Sequence, residues 1–303
     1  MNPANPGPRP SQAPGVFAAV ALPPVIWLLA LFLAPLAVIW AYSFGENRTL
    51  VDIAITGSWS SYARALKPLY LAILLKSMGF AALTTLLCFI LGLPVALAIS
   101  FASPRAKLLL LLAVMLPFWT NLLIRTYALM AILRTEGMIN SALGWLWNGL
   151  ALPLGADPFT PLPLINNNFA VVVGLVYVHL PFMVLPLYAA LDRMDRSLIE
   201  ASLDLGAGHL ATLRRVVVPL ALPGIISGII ITFIPALGAY LTPDLLGGTS
   251  SQMIANVIER QFRSANDWPF GAALSFLLMY MTFAALMLQS IVGRRSADRE
   301  AAR

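Results

Sequence analysis

The chain has 303 residues, of which 59% are hydrophobic and only 11% charged, with a formal net charge of +6 and a mean hydropathy of +0.83. So apolar a composition excludes a water-soluble domain, and the alternating short segments of a membrane β-barrel do not occur, so the chain reads as an all-α integral membrane protein. The positive charge lacks the basic runs with interleaved aromatics that suit nucleic acid, and the lone Cys88, inside an apolar run, offers neither a disulfide framework nor a thiolate metal site.

Residues 1–15, rich in Pro and Asn, are expected to form a disordered tail. Apolar stretches of about twenty residues or more then recur, each enough to cross a hydrocarbon core about 30 Å thick. The first, 16–44, is too long for a signal-peptide core and is expected to be retained, kinked or delayed by Pro23, Pro24 and Pro35. A second span is predicted over 69–101, with Lys76 placed to snorkel, and a short turn at 103–107 leads to a third over 108–133. Residues 134–167 look amphipathic, with Trp145 and Trp147 spaced as interfacial anchors. A fourth span, 168–191, runs into a charged loop over 192–219. A fifth, 220–241, is interrupted by Pro235, and a sixth covers 269–292 before a charged tail at 293–303. Residues 16–292 thus read as one domain of six transmembrane helices between two tails, and no internal repeat is found.

Lys and Arg set the expected orientation. With the N-terminus in the cytoplasm, the inner segments hold the clusters Arg105 and Lys107, Arg193 and Arg196, Arg214 and Arg215, Arg294 and Arg295, all flanking span ends. The positive-inside rule therefore puts both termini and the 192–219 loop in the cytoplasm. Within that loop the spacing predicts two short helices meeting at glycines. Glu200 and Leu203 fall at helical spacing before Gly206 and Gly208, and Leu210, Leu213 and Val217 continue an apolar stripe beyond them. Arg214 and Arg215 suit the C-terminus of the second piece, where Pro219 is expected to stop it. A partly polar helix pair with an apolar stripe, set between two spans, reads as a docking surface.

The predicted third span is polar on several sides. On one continuous helix Asn121 and Arg125 share a face, Trp119 and Thr126 another, Thr120 and Tyr127 a third, so this span should be surrounded by protein or water. Arg125 is either a pathway group or a structural arginine tied to backbone carbonyls or an acidic neighbour. In the fourth span Tyr177, Val184 and Tyr188 align. The tyrosines either wall a cation pathway or pack with satisfied hydroxyls, while His179 reads as a packing histidine. Pro181, Pro186 and Pro235 are expected to break the hydrogen-bond ladder. Tyr240 lies at the end of the fifth span and Asp244 just beyond it, where Asp244 either greets a cationic substrate or fixes a turn.

Glu200-Ala201, Gly206 and Val216-x-Val218-Pro219, at their fixed gaps, resemble the coupling loop of binding-protein-dependent ABC importer permeases, with Ser202 where that family usually has alanine. Pro117-Phe118-Trp119-Thr120-Asn121-x-x-Ile124-Arg125-x-Tyr127, the run 180–188, Pro243-Asp244-Leu245-Leu246-Gly247-Gly248 and the run 267–273 extend the resemblance to the polyamine permeases, the first permease subunits of spermidine/putrescine importers above all. It covers about residues 60–290. The resemblance implies a type I importer permease fold, a second related permease, an ABC ATPase dimer that carries ATP and Mg, a periplasmic substrate-binding protein, and no cofactor or metal on this chain. It implies an ATPase-coupling loop built from Glu200, Ala201, Ser202, Asp204, Leu205, Gly206, Gly208, His209, Leu210, Leu213 and Arg214. Pathway candidates are Trp119, Asn121, Arg125, Tyr127, Tyr177, Tyr188, Tyr240 and Asp244.

No phosphate-binding Gly-x-x-x-x-Gly-Lys-Ser/Thr loop, His-Glu-x-x-His or nucleophile elbow occurs, so a transport subunit rather than an enzyme is expected. The alternatives are an ABC permease for another small charged solute, for which Arg125 is a natural ligand if the solute is an anion, and a secondary transporter working alone. The latter lacks a buried carboxylate for ion coupling.

Overall fold

The computed structural model describes residues 14–49, 52–150 and 157–301; of the predicted 1–15 tail, residues 1–13 lie outside them, and Pro14 and Gly15 belong to the first helix instead. The chain divides into two compact units, one made of the residues up to Ala65 and from Gln261 onward, the other of Leu66–Arg260.

The first unit holds α1 (Pro14–Tyr42), a hairpin of β1 (Gly45–Asn47) and β2 (Ile53–Ile55), α2 (Ser60–Ala65) and α14 (Trp268–Ala301). Pro23, Pro24 and Pro35 are all accommodated inside α1. From Val20 to Tyr42 this helix is apolar and exposed nearly all round, with Trp27, Leu28 and Phe32 bare. Such a surface calls for a lipid or protein neighbour rather than water. The β1–β2 hairpin is antiparallel, Glu46 facing Ala54. Beside it Arg64 pairs with Asp267 at 2.6 Å and stands 3.9 Å over the Phe270 ring. α14 runs on as helix past 292, so the predicted charged tail continues the last helix.

The second unit is built on α3 (Pro68–Phe101), α7 (Asn168–Asp192) and α11 (Leu222–Leu237). Cys88, Ala96 and Ile99 of α3, Met183, Val184, Leu187 and Leu191 of α7, and Ile225 of α11 form one buried core. Close approach explains Gly224. A Cβ there would lie 2.5 Å from Ala190 Cβ and 2.7 Å from the Pro186 carbonyl oxygen, so only glycine lets α11 reach α7. Pro181 and Pro186 lie inside α7, which continues as helix although each leaves a donor missing from the ladder. Lys76, expected to snorkel, gives its ammonium to the Ser250 carbonyl and faces the Phe80 ring at 5.4 Å.

The remaining apolar segments are not single rods. α4 (Pro104–Met115) passes through a 3-10 turn, Leu116–Trp119, and α5 (Leu122–Leu133) starts afresh before α6 (Met138–Leu150); the two halves meet at 96°. Pro117 removes a donor and crowds the carbonyl four residues back. Asn121 then caps α5, its Oδ1 accepting the Leu123 N–H at 2.8 Å. The predicted continuous third span is thus broken, and the wheel that joined Trp119 to Thr126 and Thr120 to Tyr127 does not apply. The fifth apolar segment bends by 71° at Ala221, not at Pro235, which lies in the last turn of α11. Among the described residues three helices are long and apolar enough to cross a membrane, two bent pairs bring the number to five, and Trp268–Ala284 adds a shorter apolar helix. α12 (Leu241–Leu246) lies in this unit, and α13 (Ile254–Arg263) begins in it and crosses its boundary after Arg260.

Candidate functional site

Between α7 and α11 the chain forms a compact, bent loop. Asp195 opens it: the Ser197 backbone N–H donates to its carboxylate at 3.0 Å and holds the group below the usual carboxylate range. α8 (Ser197–Asp204) follows, and its end is a complete glycine cap. Gly206 has φ +82°, the Gly206 N–H bonds the Leu203 carbonyl at 2.9 Å, and the Ala207 N–H bonds the Ser202 carbonyl at 3.1 Å. That paired pattern satisfies two orphan carbonyls and requires a left-handed residue between them. Gly208, predicted to share the bend, is extended at φ −70° and ψ 158° and serves as the N-cap of α9 (His209–Thr212).

The second arm differs from its prediction. It does not stop at Pro219: α9 passes into a π-type turn, Leu213–Val217, and on into α10 (Val218–Leu220), so Arg214 and Arg215 sit mid-run. Pro219 cannot donate to the Arg215 carbonyl and its ring crowds it. The wider turn relieves this, the Val218 N–H reaching back to the Leu213 carbonyl. The two arms are clasped by a 3.0 Å hydrogen bond between the Ser202 and Thr212 hydroxyls.

The loop has two faces. Met194, Ile199, Leu213 and Val218 pack on the α3–α7 core, and Val217 is part of it. On the other side Leu205 is 89% and Leu210 70% exposed, with Glu200, Ala201, Asp204, His209 and Arg214 exposed around them. Two leucines this bare on adjoining arms form an apolar knob with a charged rim. The sequence reading missed the network at the loop's root: Lys107 pairs with Asp192, which also accepts the Tyr188 hydroxyl at 3.2 Å, and Arg196 Nη2 donates to the Ser100 carbonyl at 2.9 Å. Only the four-residue spacing of Tyr188 and Asp192 could have hinted at it.

The pathway candidates are spread over several elements. Trp119 is 77%, Tyr127 53% and Tyr177 41% exposed. Asn121 is occupied as a cap. Arg125 is half-buried on α5, with Nε buried and without a hydrogen-bond partner among the described residues, and it lies within electrostatic reach of His179. His179 Nδ1 contacts the Leu175 carbonyl at 2.8 Å inside α7. Val184 is fully buried, so the Tyr177–Val184–Tyr188 stripe is no continuous wall, and Tyr188 belongs to the root of the loop. Of the pathway candidates, Tyr177 borders two apolar hollows of the unit, of about 610 and 380 Å³. The Tyr240 carbonyl accepts from Asn256 at 2.7 Å, and Asp244 lies 3.8 Å from Arg260 in the first turn of α12. Among the described residues no group of His, Cys, Asp and Glu could hold a metal ion.

Broken apolar helices and a bent, outward-facing loop on a helical membrane domain define a transporter subunit, and the chain belongs to the family of binding-protein-dependent transport system inner membrane components, whose model matches residues 13–298. It is similar to the spermidine/putrescine transport system permease protein PotB of Escherichia coli K12, at 40% identity over 252 residues, covering 83% of this chain and 88% of that one. The inner membrane ABC transporter permease protein YdcU of the same organism is 33% identical over 278 residues, covering 88% and 86%. Among solved structures, a chain of a bacterial ABC transporter involved in import of the acidic polysaccharide alginate superposes with a TM-score of 0.71 at 15% identity, covering 93% of this chain and 96% of that one. The fold is therefore that of type I importer permeases, and the chain is a transport subunit rather than an enzyme.

Proposed function

We propose that this chain is one of two related permeases of an ATP-driven importer of polyamines, spermidine or putrescine, with both termini and the 192–219 loop in the cytoplasm. The observation that carries the coupling role is the bare Leu205–Leu210 knob held on the Gly206 cap. An apolar surface in water needs a partner, and an ABC ATPase dimer, binding ATP and Mg on its own chains, supplies the groove. A periplasmic binding protein delivers the substrate to the opposite side. The polyamine assignment is supported by the identity to PotB over most of both chains.

The loop's inner face is continuous with the core of α3, α7 and α11. Closure of the ATPase dimer therefore displaces the spans with the loop, biasing the permease between outward- and inward-facing states. Reconstitution of the four components in liposomes tests this. Labelled spermidine or putrescine should accumulate only with ATP and binding protein present, and anionic competitors should not displace it. Accumulation without the ATPase would end the coupling reading; uptake of an anion in place of polyamine would reassign the substrate and give Arg125 a ligand role.

A further inference from the structure

The root of the loop is fastened to a different connection of the second unit, the turn between α3 and α4. Asp192 closes α7, and both its carboxylate oxygens are engaged: Oδ1 receives Lys107 Nζ from the first turn of α4, and Oδ2 receives the Tyr188 hydroxyl. Lys107 Nζ also lies 5.8 Å from the centre of the Tyr188 ring. Four residues on, Arg196 acts twice. Its own carbonyl accepts the N–H groups of Ile199 and Glu200, at 3.0 and 3.1 Å, and so starts α8. Its guanidinium donates to the Ser100 carbonyl and stands 5.3 Å over the Phe101 ring. Ser100 is in the last turn of α3, where carbonyls lack partners within the helix and the dipole favours a cation.

These contacts are not needed to seat the loop, since Met194, Ile199 and Leu213 already pack on the core. Nor do they add much to folding, because partly exposed ion pairs contribute little. What they fix is the position of α8 relative to the ends of α3 and α4. Without them the loop is joined covalently only to α7 and, through the His209–Leu220 run, to α11.

We infer that Asp192 with Lys107, and Arg196 with Ser100, form a two-point latch that makes the docking loop and the α3–α4 turn move as one body. Force arriving at α8 then reaches α3 and α4 as directly as α7. Asp192 and Arg196 are positioning residues for transport, and the inference rests on the loop being the ATPase dock.

The test uses the full chain reconstituted with the partner permease, ATPase and binding protein, and reads polyamine imported per ATP hydrolysed. The Asp192→Ala/Arg196→Ala double variant is expected to retain the ATPase yet lose about fivefold or more in that ratio, the size of an ordinary coupling energy. The charge exchange Lys107→Asp/Asp192→Lys is expected to recover most of what Asp192→Lys alone loses. An unchanged ratio in the assembled double variant overturns the latch and leaves the dock standing. Loss of ATPase binding by that variant also overturns it, because the latch transmits and does not dock. A wild-type chain that neither holds the ATPase nor needs ATP removes the docking reading instead. Without transport, spin labels on Leu198→Cys and Ser103→Cys, with Cys88 buried, read the same tether. Their distance distribution should broaden in Asp192→Ala/Arg196→Ala, and an unchanged width counts against the latch.

Discussion

Gly206 and Gly208 are alike in sequence and opposite in demand. A β-branched side chain at φ +82° costs about 1–2 kcal/mol in left-handed strain, enough to unseat a two-arm loop. Gly206→Val is therefore expected to abolish uptake while the chain still inserts and pairs with its partner. Gly208 has ordinary extended backbone and open space around it, so Gly208→Ala is expected to keep uptake near wild type. Equal loss in both would show that the glycine cap is not what matters. Leu205→Asp tests the knob itself: the side chain touches little of this chain, so melting in detergent should not move, but co-purification of the ATPase should be lost. Retention of the ATPase by that variant would locate the dock elsewhere. The Glu200–Gly206 motif was readable from spacing, because a left-handed cap leaves a glycine at a fixed distance from the helix it ends. The difference between Gly206 and Gly208 was not readable, since backbone angles follow from which carbonyls need partners.

Among the elements, long uninterrupted apolar periodicity was the reliable signal. α3 and α7 lie within a residue or so of their predicted bounds, because nothing in 69–101 or 168–191 competes with the helix strongly enough to stop it. Prolines misled in both directions. Pro181 and Pro186 are carried inside α7, whereas Pro117 and the Asn121 cap split the third segment and Pro219 widens a turn instead of ending it. Composition marks where a backbone bond is missing; packing decides whether the helix tolerates the gap. Gly224 belongs to this scale. Gly224→Val drives a side chain into the Pro186 carbonyl and Ala190, an overpacking cost of about 1–3 kcal/mol. Lower thermal stability of the purified chain, with little folded protein recovered, is the expected result, and normal stability would mean that α11 can move off α7.

For the whole molecule, the excess of Lys and Arg at one set of span ends is a statement about topology. A C-terminal reporter that fluoresces only in the cytoplasm is expected to be bright, and an alkaline phosphatase fused at the same place inactive; the reverse pair would invert the chain and place the docking loop on the wrong side. The third apolar segment was the least legible part of the chain. Spacing alone puts Trp119, Asn121, Arg125 and Tyr127 on one rod, and they lie instead on either side of a break. That break has a consequence of its own. Where two half-helices meet near a right angle inside an apolar region, amides and carbonyls at the corner lose their helical partners, and oil cannot satisfy them. Asn121 and Thr120 quench some of these groups locally. Any left over need water or a neighbouring chain, so the corner at Thr120 is a place where this wall cannot rest against lipid alone.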